Sequence, residues 1–192
     1  VTEFPHRGQS VSFVDYDRDG FLDVYVSEWS ILSGTENARH SVLLRNRGRT
    51  APGFFENRTA AAGLTQPAIS SLIANYATGW ADFDGDGWPD LYLVGDFDTD
   101  SSGVRGRYDG MGLAVFDFDA DGKLDIFVSA IDLLNESSIT DRGYFSDNRL
   151  FRYFANRQFV EMAVPAGVKE SGWGWGAGYL DANLDGRPDL VV

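Results

Sequence analysis

Cysteine is absent from the 192 residues, and histidine occurs only twice. The first absence excludes a disulfide-stapled scaffold, a thiol nucleophile and a thiolate zinc site. Basic side chains are scarce, 16 against 29 acidic ones, for a formal net charge of −13. Such a balance argues against nucleic acid as a partner, because a phosphate backbone needs a basic surface. No apolar run approaches the roughly 18 residues of a membrane-spanning helix, and the start carries no signal-peptide pattern. His6 and His40 lie in no motif, and there is no G-x-S-x-G elbow, phosphate loop or dinucleotide fingerprint. An enzyme is not expected. The first residue is Val1 and the last residues stop within an apolar run, so a longer parent chain is expected.

What is present is a core and a repeat. Apolar residues make up 43% and aromatics 14%, enough for a packed domain and too aromatic for a disordered acidic tail. Four segments share one pattern. They are Asp15-Tyr16-Asp17-Arg18-Asp19-Gly20-Phe21-Leu22-Asp23, Asp82-Phe83-Asp84-Gly85-Asp86-Gly87-Trp88-Pro89-Asp90, Asp117-Phe118-Asp119-Ala120-Asp121-Gly122-Lys123-Leu124-Asp125 and Asp181-Ala182-Asn183-Leu184-Asp185-Gly186-Arg187-Pro188-Asp189. Starting at residues 15, 82, 117 and 181, they are separated by 67, 35 and 64 residues.

The flanks repeat as well. Small residues stand five and three places before each first Asp: Ser10 and Ser12, Ala77 and Gly79, Gly112 and Ala114, Gly176 and Gly178. A period of two puts each pair on one face of a strand, where small side chains permit close approach to a neighbour. A β-type run follows each loop: Leu22 to Val26, Leu91 to Val94, Ile126 to Val128 and Leu190 to Val192. The long intervals also share Leu43-Leu44-Arg45-Asn46 with Leu150-Phe151-Arg152, Phe54 and Glu56 with Phe159 and Glu161, and Ala62-Gly63-Leu64 with Ala166-Gly167-Val168. Four strands per period of about 65 residues is the make-up of a β-propeller blade. The fold expected is all-β, a propeller fragment over residues 1–192 with three to four antiparallel blades, the middle one shortened.

Carboxylates at positions 1, 3 and 5 of a curled backbone converge on one centre. Glycine at position 6 permits the sharp turn, position 7 offers a carbonyl oxygen and position 9 closes the shell. The expected ligands are Asp15, Asp17, Asp19, Phe21 and Asp23; Asp82, Asp84, Asp86, Trp88 and Asp90; Asp117, Asp119, Asp121, Lys123 and Asp125; and Asp181, Asn183, Asp185, Arg187 and Asp189. Oxygen donors in this number suit calcium, about four ions, better than a transition metal or magnesium. Four calcium ions, eight positive charges, would bring −13 to −5. An EF-hand is excluded, because its bidentate Glu at position 12 is replaced by Val26, Leu93, Val128 and Val192. Asn183 makes the fourth loop the weakest. Asp96-Phe97-Asp98-Thr99-Asp100 lacks the glycine and the closing acid and is read as a surface turn.

These loops and their Gly-x-Ala or Ala-x-Gly entry strands resemble FG-GAP/VCBS repeats, the calcium-loop blades of integrin α-subunits. The longer pattern is similar to cartilage acidic protein-like and ASPIC/UnbV-associated proteins. It joins Leu43-Leu44-Arg45-Asn46 and Ala62-Gly63-Leu64 to the loop that begins at Asp82. The resemblance spans nearly the whole chain. It implies a propeller of about seven blades, an extracellular, periplasmic or cell-surface location, and adhesion, ligand binding or scaffolding. A protein or glycan ligand on one propeller face is the implied partner; a propeller-fold polysaccharide lyase or hydrolase, or a lectin, is the alternative.

Two other constellations remain. Arg39, Arg45, Arg47, Arg49 and Arg58 form the one basic concentration, read as a solvated hairpin around Arg47 and Gly48 or as an acidic-ligand contact. Trp173, Trp175 and Tyr179 are read as interblade packing ahead of a sugar site.

Overall fold

The computed structural model describes residues 8–30, 41–64, 73–95, 110–131, 147–155 and 158–192. The expected turn at Asp96–Asp100, both histidines, Arg39 and residues 96–109 of the shortened middle interval lie outside these residues. Among the described residues there are twelve strands and no α-helix. They are β1 (Gly8–Val14), β2 (Asp23–Ser30), β3 (Val42–Asn46), β4 (Phe55–Asn57), β5 (Ile73–Ala81), β6 (Asp90–Gly95), β7 (Gly110–Phe116), β8 (Asp125–Ala130), β9 (Arg149–Ala155), β10 (Gln158–Glu161), β11 (Gly178–Leu180) and β12 (Asp189–Val191).

Every pairing is antiparallel. The first unit is β1-β2-β3-β4 and the third is β7-β8-β9-β10. The second contributes the hairpin β5-β6 and the fourth the hairpin β11-β12. The far end of β2 also pairs with β5, Trp29 with Ala74 and Ser30 with Ile73, which fuses the first two units into one six-stranded sheet. The all-β, antiparallel expectation therefore holds; no closed ring is formed by the described residues.

Equivalent segments fold alike. The Arg58 and Met162 N–H groups donate to the Leu43 and Leu150 carbonyls, and Leu64 and Val168 donate to Thr59 and Ala163. Those turns follow the outer strand in the first and third units.

The first strands of the four units stack face to face, β1 on β5, β5 on β7 and β7 on β11. The Thr78 hydroxyl donates to Ser12 Oγ at 3.0 Å, as does Trp80 Nε1 at 3.0 Å. A Cβ added at Gly79 would lie 2.6 Å from Leu113 Cδ2. One added at Gly112 would lie 2.7 Å from the Ala177 nitrogen and 2.7 Å from the Gly176 carbonyl carbon. The small residues thus mark close approaches, as the two-residue period suggests. These contacts join residues standing two to five places before their own loop in every unit. Neighbouring first strands therefore run in the same direction, and all four Asp loops emerge at one end of the stack.

The core lies between units. Ile126, Val128, Phe151 and Tyr153 of the third unit pack with Phe83, Tyr92 and Val94 of the second. From the opposite face of the third unit, Ala114, Phe116, Phe127 and Leu150 meet Ala177 and Leu190 of the fourth. This explains why β8 is buried along its whole length while β1 alternates. A fully buried Phe or Leu contributes about 1.5–3 kcal/mol, so β8 is the most costly strand to alter. By contrast, Val11 and Phe13 are 56% and 65% exposed on the face of β1 turned away from β5.

Candidate metal centres

Each nine-residue loop is shaped first by its own carboxylates. In the first, third and fourth loops the position-1 Asp accepts the N–H groups of positions 5 and 6, as Asp15 does from Asp19 and Gly20 at 2.9 Å each. In the second, Asp82 accepts from Gly87 at 2.8 Å. The position-5 acids, Asp19, Asp86, Asp121 and Asp185, accept the N–H of Phe21, Trp88, Lys123 and Arg187. The position-9 acids, Asp23, Asp90, Asp125 and Asp189, accept the N–H of Tyr16, Phe83, Phe118 and Ala182. These bonds satisfy the backbone donors that a turn would otherwise strand.

Position 9 also ties the loop to the sheet. The second oxygens of Asp23 and Asp125 accept the N–H of Asn46 on β3 and Tyr153 on β9, at 2.7 and 2.8 Å. Both side chains are fully buried. Burial raises their pKa above the ordinary carboxylate value, the two backbone N–H bonds pull it down, and the neighbouring position-3 and position-5 carboxylates push it up. A divalent ion would oppose both the desolvation and the repulsion.

Three loops bring acids together. Asp15, Asp17 and Asp19, then Asp82, Asp84 and Asp86, then Asp117, Asp119 and Asp125 each place carboxylate oxygens within 4.8 Å of one another. Oxygens about 2.3–2.6 Å from a calcium ion lie at most about 4.6–5.2 Å apart across it, so the spacing fits. Asp17 Oδ1 is buried and has no hydrogen-bond partner, an acceptor left over. The donor set is oxygen alone. On these grounds the first three loops fit a hard divalent cation.

The fourth loop forms no such triad. Asn183 turns its amide on its neighbour, Nδ2 donating to Asp185 Oδ2 at 3.1 Å while Oδ1 accepts the Asp185 N–H. Both amide atoms are thus engaged within the loop. Position-7 side chains point to other work: the Phe21 ring covers Gly48, Arg18 lies 5.2 Å over the Trp88 ring, and Lys123 Nζ donates to the Phe154 carbonyl.

Arg47 and Arg49 are exposed in the connection between the antiparallel β3 and β4, as a solvated hairpin, whereas Arg45 departs from both readings of the basic concentration. Arg45 on β3 directs Nε to Asp17 Oδ2 and Nη2 to Asp19 Oδ2, the latter at 2.6 Å. Arg152 on β9 does the same to Asp119 and Asp121, with Nη2 at 2.7 Å from Asp121. Neither is a solvated hairpin residue or a free anion contact. The signal available in the sequence was the match of Leu43-Leu44-Arg45 with Leu150-Phe151-Arg152. Among the aromatics, Tyr179 stacks on Phe116 at 5.1 Å and the Trp175 ring lies 6.1 Å from that of Tyr76 in the second unit, as interblade packing, while Trp173 and Trp175 remain 61% and 56% exposed.

Comparison of the sequence with protein-family models and with curated proteins returns no match.

Proposed function

We propose that the chain is a calcium-binding module of propeller type, built from FG-GAP/VCBS-like units, that serves extracellular adhesion, ligand binding or scaffolding. The carrying observation is the recurrence of three carboxylate clusters at coordination spacing, one holding a buried, unpartnered oxygen. The ligands would be the position-1, 3 and 5 acids with the position-7 carbonyl, and position 9 doubling as a tie to the sheet. Ions would neutralise charge that otherwise repels at one end of the stack. Recognition would fall to the longer connections on this rigid scaffold, since loops between fixed strands commonly carry it. An exported location suits such sites, because extracellular modules hold calcium at about 10⁻⁴–10⁻³ M.

Calorimetric titration of metal-stripped protein with Ca²⁺ and with Mg²⁺ tests this reading. The expected stoichiometry is three or four with calcium preferred, the fourth loop filling last. Absence of calcium heat, or equal response to both ions, defeats it. A glycan partner is favoured over a protein one only by the exposed Trp173 and Trp175; binding on a glycan array, lost in W173A/W175A, distinguishes the two.

A further inference from the structure

Two of the four loops are bridged by an arginine from a neighbouring strand. Arg45 and Arg152 come from equivalent strands, β3 and β9, 26 to 33 residues away in sequence from the acids they reach. Each uses one edge of its guanidinium, Nε and Nη2, to bridge position 3 to position 5. A planar fork suits this task, since it fixes two carboxylates at a set separation where an ammonium would hold only a point. The atoms contacted are the Oδ2 oxygens in both loops. Asp17 Oδ1 is buried with no partner, and Asp19 Oδ1 is spent on the Phe21 N–H. The guanidinium thus engages oxygens of two of the acids expected to hold an ion, those at positions 3 and 5. The carboxylates in turn hold both arginines firmly in the charged form, Asp17 and Asp119 foremost.

We infer that Arg45 and Arg152 are tethered counter-cations, positioning residues that hold the first and third loops in shape without metal and thereby weaken those loops' affinity for a divalent ion. The inference rests on the calcium reading above. Its logic is a thermodynamic cycle. The arginine relieves repulsion among the clustered carboxylates most when no ion is present. Once an ion arrives, the same charge opposes it across a few ångströms. A group that stabilises the metal-free form more than the loaded form must raise the dissociation constant by the corresponding factor.

The test compares the full chain with R45M, R152M, R45M/R152M and R152K. Melting temperature is measured in chelator and in saturating calcium, and calcium affinity by calorimetry. The methionine variants are expected to melt several degrees lower in chelator, with the deficit shrinking in calcium. Their altered sites should bind calcium about three- to tenfold more tightly, the range a partly screened neighbouring charge allows. R152K should keep the original affinity while losing part of the stability in chelator, because charge survives and the fork does not. Equal deficits with and without calcium, or affinity that is unchanged or weaker, overturn the inference and leave a plain structural bond. If the unaltered chain takes up no calcium, the metal reading falls and the inference falls with it. Calcium uptake with an unaltered affinity in R45M and R152M sinks the inference alone. The single variants and R152K carry the comparison if the double variant fails to fold.

Discussion

Position 4 of every loop adopts the left-handed backbone conformation, whatever residue stands there. Arg18, Ala120 and Leu184 have φ of 58°, 60° and 60°, and Gly85 in the second loop has 75°. Position 6 is left-handed too, at 81–87°, and is always glycine. A non-glycine residue in that region costs about 1–2 kcal/mol. The carboxylate at position 1 holds it in place by gripping the N–H groups of positions 5 and 6 on either side of the turn. Ala120→Gly should therefore be neutral or raise stability by up to about 1 kcal/mol, whereas Gly122→Ala should lower it by about 1–2 kcal/mol. Urea unfolding in chelator measures both. Nothing lies within 4 Å of the Cβ that Gly122→Ala would add, so the loss would report backbone strain alone. The position-6 glycines were legible in the sequence, being invariant across four copies. The strain at position 4 was not, because three different side chains occupy it and only the folded hydrogen bonds reveal the demand. Arg45 and Arg152 were hidden for a related reason: a bond across some thirty residues leaves no local periodicity to detect.

At the scale of strands, the controlling feature is how closely the first strand of one unit lies against the next. The tightest point is Gly112. Its missing side chain leaves room for the Ala177 nitrogen, the Gly176 carbonyl carbon and Ser129 Oγ, all within 2.7 Å of where a Cβ would stand. Two of those three atoms are backbone and have no rotamer to change. Gly112→Ala should push the fourth unit off the third and destabilise by about 1–3 kcal/mol. Phe13→Ala, on an exposed face, should cost under about 1 kcal/mol. The comparison is made by thermal denaturation followed through tryptophan fluorescence. The strands after each loop were legible from their apolar runs, and β2, β6, β8 and β12 stand where those runs lie. The entry to the fourth unit was less so. Its strand begins only at Gly178, and the preceding glycine-rich stretch pairs only through a single bridge from Trp173 to Ile131. Alternation alone does not distinguish a strand from an irregular run that has glycine at every second place. The pairing of β2 with β5 had no sequence signal, since it involves only the last two residues of a long strand.

Over the whole molecule, charge is distributed as unevenly as packing. Fifteen of the 29 acidic residues belong to the four loops, and those loops share one end of the strand stack. Salt bridges from Arg45 and Arg152 offset part of that charge. In chelator, the melting temperature should rise as sodium chloride goes from about 0.01 M to 0.5 M, over which the Debye length falls from about 30 Å to under 8 Å. In saturating calcium the same salt series should move it far less. A flat response in chelator would mean that repulsion among the loops has no share in stability. The composition alone foretold the net charge, but its concentration at one end follows only from the parallel stacking of β1, β5, β7 and β11.

That stacking has a consequence for how such a chain grows. The first strands of all four units meet near their loops through small residues such as Ser12, Gly79 and Gly112, so a similar close contact recurs from one junction to the next. Copying or deleting an entire unit of about 65 residues would leave a junction of the same kind at the splice, with energetics set mainly by nearest neighbours. Gene duplication could thus lengthen the protein in whole steps without redesigning any interior.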